Sequence, residues 1–258
     1  MATALITGGT SGIGAAFARA LAARGDDVVL VARDAGRLGE FAGELERRHG
    51  VRVETLPADL SDRTQAQAVA DRLAEPGRPV ETLVNNAGFS VGATLLDPSM
   101  ERHDRAAEVM MRSVLLLQGA AGRAMRERGH GTIINVGSVA GYLAQGHYPA
   151  IKSYVRVLTE SLAVELAGTG VRVCVLLPGW VRTEFHERAG IKGSSIPGPL
   201  WLDADRVVAA CLADADRGRV VSVPSRRFRV IAGALRHAPR PFVRWVSGKL
   251  SAARRHER

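Results

Sequence analysis

Short runs of β-branched and other apolar residues alternate with longer amphipathic stretches along most of this chain. The strand-like runs lie at 3–7, 28–31, 51–56, 82–85, 132–136, 171–177 and 220–223. The helix-like stretches lie near 13–24, 34–48, 63–75, 100–128, 149–168 and 204–214. Most of the strand runs are almost wholly apolar, as expected for strands that are covered on both faces. The alternation predicts an α/β fold, a doubly wound parallel sheet of about seven strands with helices on both faces.

The chain divides into a large body and a short basic tail. It has 258 residues, of which 46% are hydrophobic, enough for one domain with a full core. We predict that this domain spans residues 1–224 and that its Gly-, Pro- and Ser-rich segment 179–203 is a substrate loop. Residues 225–258 are the tail. The last 42 residues, from 217 onward, hold 12 of the 35 basic residues and one of the 26 acidic ones, so they carry +11 and the remainder carries −2.

The tail pattern predicts two basic amphipathic helices, at 226–237 and 240–255. The apolar face of the second helix is predicted to consist of Phe242, Val243, Val246 and Leu250. Such helices either contact an anionic membrane surface or pack on the protein itself, over the substrate cleft or a partner subunit. Nucleic-acid binding is not expected, because the tail lacks the aromatic interleaving that stacks bases.

Several other classes of protein are not expected. The sequence has no run of ~18 apolar residues, so no membrane span is predicted. The first residues, MATALITGG, do not have the pattern of a secretory signal. Cys174 and Cys211, the two cysteines, are predicted to be buried thiols, with neither a disulfide framework nor a metal site. These features fit a cytoplasmic protein, peripheral to a membrane only if the tail binds one.

A glycine-rich turn follows the first strand and opens the first helix. It reads Thr7-Gly8-Gly9-Thr10-Ser11-Gly12-Ile13-Gly14. Glycines allow a tight turn and close approach to a pyrophosphate, and the helix N-terminus supplies N–H groups and partial positive charge. The spacing differs from the common G-x-G-x-x-G pattern, and turns of this kind also occur for purely structural reasons. In this context we interpret it as a dinucleotide site.

The residues after the second strand bear on which dinucleotide binds. Many NAD sites have an acid there that binds the ribose 2′-hydroxyl, whereas this chain has Arg33 followed by Asp34. A guanidinium favours a 2′-phosphate, so Arg33 predicts a preference for NADP(H), with NAD(H) as the alternative. The other interpretation of Arg33 is a solvated charge at a helix start. Asp34 is predicted to be the helix N-cap.

Tyr148 and Lys152 lie four residues apart, and Ser138 precedes Tyr148 by ten. Four residues is about one helical turn, so both side chains are placed on one helix face. A lysine ammonium beside a phenol stabilises the phenolate, which predicts a lowered pKa for Tyr148. The phenol can then exchange a proton with a substrate oxygen that Ser138 holds by a hydrogen bond.

Together these motifs resemble the classical short-chain dehydrogenase/reductase family. The resemblance covers about residues 2–223, through TGGTSGIG at 7–14, Asp59 in ADL, NNAG at 85–88, Ser138 in INVGS, YPAIK at 148–152 and PGWVRT at 178–183. It implies a Rossmann-type fold, a homodimer or homotetramer, and hydride transfer between a nicotinamide and a carbonyl or alcohol carbon.

The resemblance also implies a role for each matching residue. It places the pyrophosphate and adenosine phosphates at Gly8, Thr10, Ser11, Gly12, Ile13 and Gly14. It places the adenine and a cofactor ribose beside Asp59, Leu60, Asn86, Ala87 and Gly88. It makes Tyr148 the general acid/base, with Lys152 lowering its pKa and holding the nicotinamide ribose, and Ser138 orienting the substrate oxygen. It places the nicotinamide half beside Pro178, Gly179, Val181 and Thr183.

One position departs from the family pattern. Many members have an Asn in the long helix before the fifth strand, where it helps to hold a water that relays protons to the lysine. The corresponding residue here is Met110, whose side chain is a poor hydrogen-bonding group. We therefore expect either that a backbone carbonyl and a water serve the relay or that the proton reaches Lys152 by another route.

These features predict an NADPH-dependent carbonyl reductase or alcohol dehydrogenase. The substrate loop, with Trp180, Phe185, Leu200 and Trp201, predicts an apolar ketone or secondary alcohol of fatty-acyl, steroid or polyketide-like type. Two alternatives remain: an NAD-dependent alcohol dehydrogenase, and a non-catalytic NADP(H)-binding sensor or scaffold attached to a membrane by its tail.

Overall fold

A computed structural model describes residues 2–184 and 198–255 of the chain. Its strands are β1 (Thr3–Thr7), β2 (Asp27–Ala32), β3 (Val53–Pro57), β4 (Thr82–Asn85), β5 (Gly131–Val136), β6 (Val171–Leu176), β7 (Trp180–Val181), β8 (Trp201–Leu202) and β9 (Val221–Ser222). Seven of them form a parallel sheet in the order β3-β2-β1-β4-β5-β6-β9. This confirms the predicted doubly wound sheet.

The helices lie between the strands and after the last one. They are α1 (Gly12–Ala22), α2 (Ala35–His49), α3 (Arg63–Ala74), α4 (Glu101–Ala107), α5 (Ser113–Arg128), α6 (His147–Glu165), α7 (Ala204–Asp216), α8 (Arg226–His237) and α9 (Arg240–Arg255). A π turn, Glu108–Arg112, separates α4 from α5, and a 3₁₀ turn, Val139–Tyr142, follows β5. The sequence predicted one helix over 100–128, so the π turn is a correction.

The sheet is covered on both faces. One core cluster joins β1 and β2 to α1, α2 and α7 through side chains such as Phe17 and Leu38. The opposite cluster joins the sheet to α3, α5 and α6 through side chains such as Leu83 and Ile151. The strands are therefore buried on both sides, which explains why their sequences are almost wholly apolar.

The tail helices pack against the body. Phe228 and Ala232 of α8 are buried with Val139, Val175 and Leu177, beside the end of the sheet. In α9, Val243 is fully buried, whereas Phe242 is 52% exposed. The predicted apolar face is therefore wrong at Phe242, which lies about 100° around the helix from Val243. It is also wrong at Leu250, which is 39% exposed.

The predicted substrate loop is partly described. Its first residues form β7, which pairs in parallel with β8 and aligns Trp180 with Trp201. Phe185 lies outside the described residues. Among the described residues, no helix is long and apolar enough to cross a membrane.

Candidate active site

The predicted site residues lie at the carboxyl ends of neighbouring parallel strands. The glycine turn follows β1, Arg33 follows β2, and Ser138 follows β5. Three other groups follow β3, β4 and β6: Asp59 and Leu60; Asn86, Ala87 and Gly88; and Pro178, Gly179, Val181 and Thr183. Because parallel strands end at one edge of the sheet, all these segments border one crevice, the place where open α/β sheets bind ligands.

The glycine turn has a conformation and packing that require glycine at particular positions. Gly8 and Gly12 have φ angles of +63° and +54°, a region that other L-residues rarely adopt. A Cβ on Gly14 would overlap the Gly8 carbonyl and the Asn86 side chain. Asn86 Nδ2 donates to the carbonyls of Thr7 and Gly8 at 3.0 and 3.1 Å, which fixes the turn against the end of β4.

The first turn of α1 is arranged as an anion site. The N-cap residue Ser11 makes no side-chain cap hydrogen bond, so its hydroxyl does not cover the helix N-terminus. Thr183 lies opposite, with its Cβ 3.1 Å from where a Cβ on Gly12 would sit. The tight glycine turn, the uncapped helix end and the approach of Thr183 fit a dinucleotide whose pyrophosphate lies at the α1 N-terminus.

Arg33 and Asp59 lie near one another at the neighbouring strand ends. The Asp59 carboxylate accepts hydrogen bonds from Ser61 N and Oγ at 2.9 and 2.7 Å and pairs with Arg105 at 3.1 Å. Burial by itself raises the pKa of Asp59, but Ser61, Arg105 and Arg33 outweigh it and leave the pKa lowered. Asp34 accepts a hydrogen bond from Arg37 N at 3.0 Å, so it caps α2 as predicted.

Ser138, Tyr148 and Lys152 come together between the 3₁₀ turn and α6. The hydroxyls of Ser138 and Tyr148 are hydrogen-bonded to each other, and Ser138 Oγ also accepts from Ala140 N at 3.1 Å. Lys152 Nζ lies 5.7 Å from the Tyr148 ring centroid and donates to the Val136 carbonyl at 2.8 Å. Two hydroxyls and one buried ammonium therefore meet at the end of β5.

A family model described as short chain dehydrogenase matches residues 2–192 of the chain. The chain belongs to the short-chain dehydrogenase family. A curated relative, sulfoacetaldehyde reductase 2 of Chromohalobacter salexigens, is 39% identical over 186 residues, covering 70% of this chain and 73% of the relative. The chain is therefore an NAD(P)-dependent oxidoreductase that acts on CH–OH or C=O groups.

Two solved short-chain dehydrogenases share the fold closely. One, from Sphingobium yanoikuyae in complex with NADPH, has a TM-score of 0.83 and 36% identity, covering 91% of this chain and 93% of its own. The other, a bulky-bulky ketone specific alcohol dehydrogenase from Comamonas testosteroni, has a TM-score of 0.78 and 29% identity, covering 99% of this chain and 93% of its own. The second match includes the tail region.

Burial dominates the protonation of the dehydrogenase site. It raises the pKa of the Tyr148 phenol to about 12, although the Ser138 hydrogen bond acts in the opposite direction. It lowers the pKa of the Lys152 ammonium to about 8. The predicted lowering of the Tyr148 pKa by Lys152 is therefore not what the structure shows, because the ammonium is directed to the Val136 carbonyl.

Two glycines shape the helix that carries Tyr148 and Lys152. Gly146, the residue before α6, has a φ of +72°, which a side chain would strain. A Cβ on Gly141 would lie 2.9 Å from the backbone of Lys152 and Ser153. The 3₁₀ turn thus packs directly on α6, an approach that the sequence pattern did not reveal.

Met110 lies in the π turn and is buried behind Gly88. Its Sδ is 3.1 Å from where a Cβ on Gly88 would sit, so the thioether fills the space beside the NNAG segment. Ser113, three residues further on, donates its hydroxyl to the Val109 carbonyl at 2.6 Å and is engaged within its own helix. An alternative route for the proton remains a prediction.

A buried amide network beneath the site was also missed by sequence reasoning. Asn135 in β5 accepts from Asn85 Nδ2 at 2.9 Å and donates to Gln118 and Thr159 at 2.7 and 2.9 Å. It joins β4 and β5 to α5 and α6. Isolated Asn and Gln residues within apolar runs could have indicated this network. Such residues are buried with their neighbours, and buried polar groups nearly always have hydrogen-bond partners.

Proposed function

We propose that this short-chain dehydrogenase is an NADPH-dependent reductase of bulky, apolar ketones. The observation that carries the proposal is the hydrogen-bonded pair of hydroxyls, Ser138 and Tyr148, beside the buried Lys152. Such a pair provides two contacts for one substrate oxygen, one of which can deliver a proton. The glycine turn and Thr183 lie at the same edge of the sheet, on the side where a cofactor is expected.

The proposed cofactor residues are those described at the strand ends, with Lys152 and Thr183 on the nicotinamide half. The nicotinamide supplies a hydride to the carbonyl carbon when it is bound. Ser138 holds the carbonyl oxygen, and Tyr148 transfers its phenolic proton to that oxygen as negative charge develops there. The Val136 carbonyl accepts a hydrogen bond from Lys152 Nζ at 2.8 Å and so fixes the ammonium beside Tyr148, where we propose that it holds the nicotinamide ribose.

The high pKa of Tyr148 favours the reductive direction. A phenol with a pKa of about 12 is fully protonated at neutral pH, so the acid needed for reduction is already in place. Oxidation of an alcohol would use the phenolate of the same residue as a base. An NAD-dependent alcohol dehydrogenase is the alternative.

We propose NADPH rather than NADH because Arg33 lies exposed directly after β2, near Asp59. A guanidinium there binds a 2′-phosphate by charge-assisted hydrogen bonds. In Arg33→Ala we expect the affinity for NADPH to fall roughly 10- to 100-fold while that for NADH changes little. Arg48→Ala, which removes an exposed arginine from the last turn of α2, is the control. Wild-type preference for NADH would contradict this cofactor assignment.

The proposed substrate class depends on the apolar side chains around the loop after β6. Trp180, Leu200, Leu202 and Tyr142 are half-buried against the cluster that contains Phe228. This wall suits a fatty-acyl, steroid or polyketide-like ketone. The solved Comamonas testosteroni relative is itself described as specific for bulky-bulky ketones.

The test is a panel of ketones assayed by the loss of NADPH absorbance. We expect bulky apolar ketones to be reduced with kcat/KM at least tenfold above small polar ones such as sugar ketones. Leu200→Ser is expected to reduce the ratio of kcat/KM for bulky apolar ketones to kcat/KM for small polar ones, because it makes the apolar wall more polar. A preference for small polar carbonyls would overturn the substrate class, and NADPH binding without turnover on any ketone would favour the non-catalytic sensor.

We further propose that the chain consists of a catalytic body, residues 1–224, and a tail, residues 225–258. We propose that it assembles as a homodimer or homotetramer. In this assembly the tails dock on anionic membranes. Stacked Phe242 and Trp245, with ring centroids 5.8 Å apart, are 52% and 60% exposed in the basic helix α9. Basic helices with exposed aromatic residues bind anionic lipid surfaces. The test is co-sedimentation with anionic and zwitterionic vesicles, with Phe242→Ser/Trp245→Ser as the variant. Equal sedimentation of variant and wild type would contradict membrane docking.

A further inference from the structure

Two histidines hold a direct ring-to-ring hydrogen bond beside the proposed catalytic tyrosine. His103 in α4 is buried, and its Nδ1 lies 2.8 Å from Nδ1 of His147. His103 Nε2 lies 2.9 Å from the carbonyl of Thr94, in the loop that follows β4. His147 is the first residue of α6 and directly precedes Tyr148. The helix-like stretch was predicted near 149–168, so the structure begins this helix two residues earlier.

The chemistry of these contacts determines where the protons are. A carbonyl oxygen only accepts, so His103 Nε2 carries a hydrogen and donates it to Thr94. In neutral His103, Nδ1 is then the acceptor, and His147 Nδ1 must be the donor. One added proton is tolerated, because it can reside on His147 Nε2 without disturbing the shared hydrogen bond. A second added proton puts hydrogens on both facing Nδ1 atoms, which abolishes the bond and sets two cations against each other.

We propose that His103 and His147 are positioning residues, which tie the loop after β4 to the first turn of α6 as long as the pair carries at most one added proton. The proposal rests on the reductase function given above. The pair acts on Tyr148 through the backbone: His147 holds α6 from one side, and the close approach of Gly141 to Lys152 holds it from the other. Loss of the hydrogen bond between the histidines removes one of the two contacts that hold α6.

Charged groups near the pair lie on α4 and α9. Burial and the neighbouring His103 lower the pKa of His147, while Asp104 on α4 raises it. Arg102, also on α4, donates to the Gly92 carbonyl at 3.1 Å. Arg240 of α9 lines a cleft of about 420 Å³ together with Leu95 and Gly146, next to the pair. A second proton on the pair therefore meets the positive charge of the first, and it breaks the hydrogen bond.

The test compares three variants by pH profile. His103→Gln keeps both contacts, since its amide N–H can donate to Thr94 and its oxygen can accept from His147 in either charge state. We expect kcat of wild type to fall about tenfold on the acid side of pH 6, and His103→Gln to lack this acid limb while matching wild type near pH 7.5. His103→Leu removes both contacts and is expected to lower kcat about tenfold at every pH. His130→Gln, an exposed histidine paired with Glu81 at 3.0 Å, is the control and should keep the acid limb.

Measurements that need no substrate separate this proposal from the reductase function. Long-range ¹H–¹⁵N spectra of the imidazoles should show His103 protonated at Nε2 and His147 at Nδ1 near neutral pH, and NADPH affinity should be unchanged in His103→Gln. Opposite tautomers, or an acid limb that persists in His103→Gln, would overturn the proposal. If no ketone is turned over while the tautomers are as stated, the reductase function fails and the hydrogen bond stands without its catalytic consequence.

Discussion

Phe228, in the first tail helix, lies against the backbone of Gly179 in the segment predicted to contact the nicotinamide. A Cβ on Gly179 would overlap the Phe228 ring. The ring also meets Trp180 edge to face, with centroids 5.9 Å apart. The first tail helix, α8, therefore supports the loop that leaves β6, which contains the residues predicted to contact the nicotinamide.

Phe228→Ala should destabilise the protein by about 3 kcal/mol, because it leaves a cavity in a fully packed cluster. Chemical denaturation measures the change. Phe242→Ala, at an exposed aromatic residue of α9, is the control and should cost less than about 1 kcal/mol. Gly179→Ala should destabilise wild type but not the Phe228→Ala protein, since the ring it would strike is then absent. Equal effects in both backgrounds would contradict the contact.

Gly14→Ala should reduce NADPH affinity at least tenfold, because the added methyl group overlaps the Gly8 carbonyl and distorts the turn. Fluorescence titration with NADPH measures it. Gly39→Ala, where a Cβ meets nothing within 4 Å, is the matched control. It should bind NADPH normally and gain about 0.5–1 kcal/mol of stability from its helix position. Unchanged NADPH affinity in Gly14→Ala would place the cofactor elsewhere.

Tyr148→Phe should lower kcat by roughly 10²–10⁴-fold, since the phenolic proton is lost while the ring and its packing remain. NADPH affinity should change less than about threefold. Tyr154→Phe, in the same helix, removes a hydroxyl whose pKa is raised by burial but which lies outside the Ser138 pair, and it should retain activity. Substantial turnover by Tyr148→Phe on any identified ketone would refute the role proposed for Tyr148.

Lys152 should make the stability of the protein depend on pH in a defined window. Its pKa is about 8 in the fold against an ordinary value of 10.5. Between these values the unfolded chain binds more protons, so wild-type stability rises with pH, by up to about 3 kcal/mol in all. Below pH 8 Lys152 is protonated in both the folded and the unfolded protein, so the folded protein bears the full free-energy cost of burying the ammonium.

Lys152→Met removes that cost. The unfolding free energy of Lys152→Met minus that of wild type should therefore be highest below pH 8. This difference should decline steadily as the pH rises to 10. Denaturation at pH 7, 8, 9 and 10 tests this, with exposed Lys249→Met as the control for a lysine in solvent. A difference that stays constant with pH would show that the Lys152 pKa is not lowered by folding.

Local patterns in the sequence determined the sheet, most helices and the composition of the site. Apolar runs without alternation predicted buried parallel strands, and parallel strands necessarily bring the glycine turn, Asn86, Ser138 and Pro178 to one edge. The cap at Asp34 and the two tail helices also followed from local signals. These features depend on residues close together in the chain, which is why periodicity and spacing are sufficient for them.

Only the tertiary structure decided which groups touch across the fold. The Lys152 ammonium donates to the Val136 carbonyl, and His103 meets His147 from 44 residues away. The face that α9 buries and the π turn at Met110 likewise depend on what packs against those helices. Such contacts arise from side chains that compete for the same small space, and burial then sets the pKa values of Tyr148 and Lys152. A linear pattern contains neither the distances nor the desolvation that govern them.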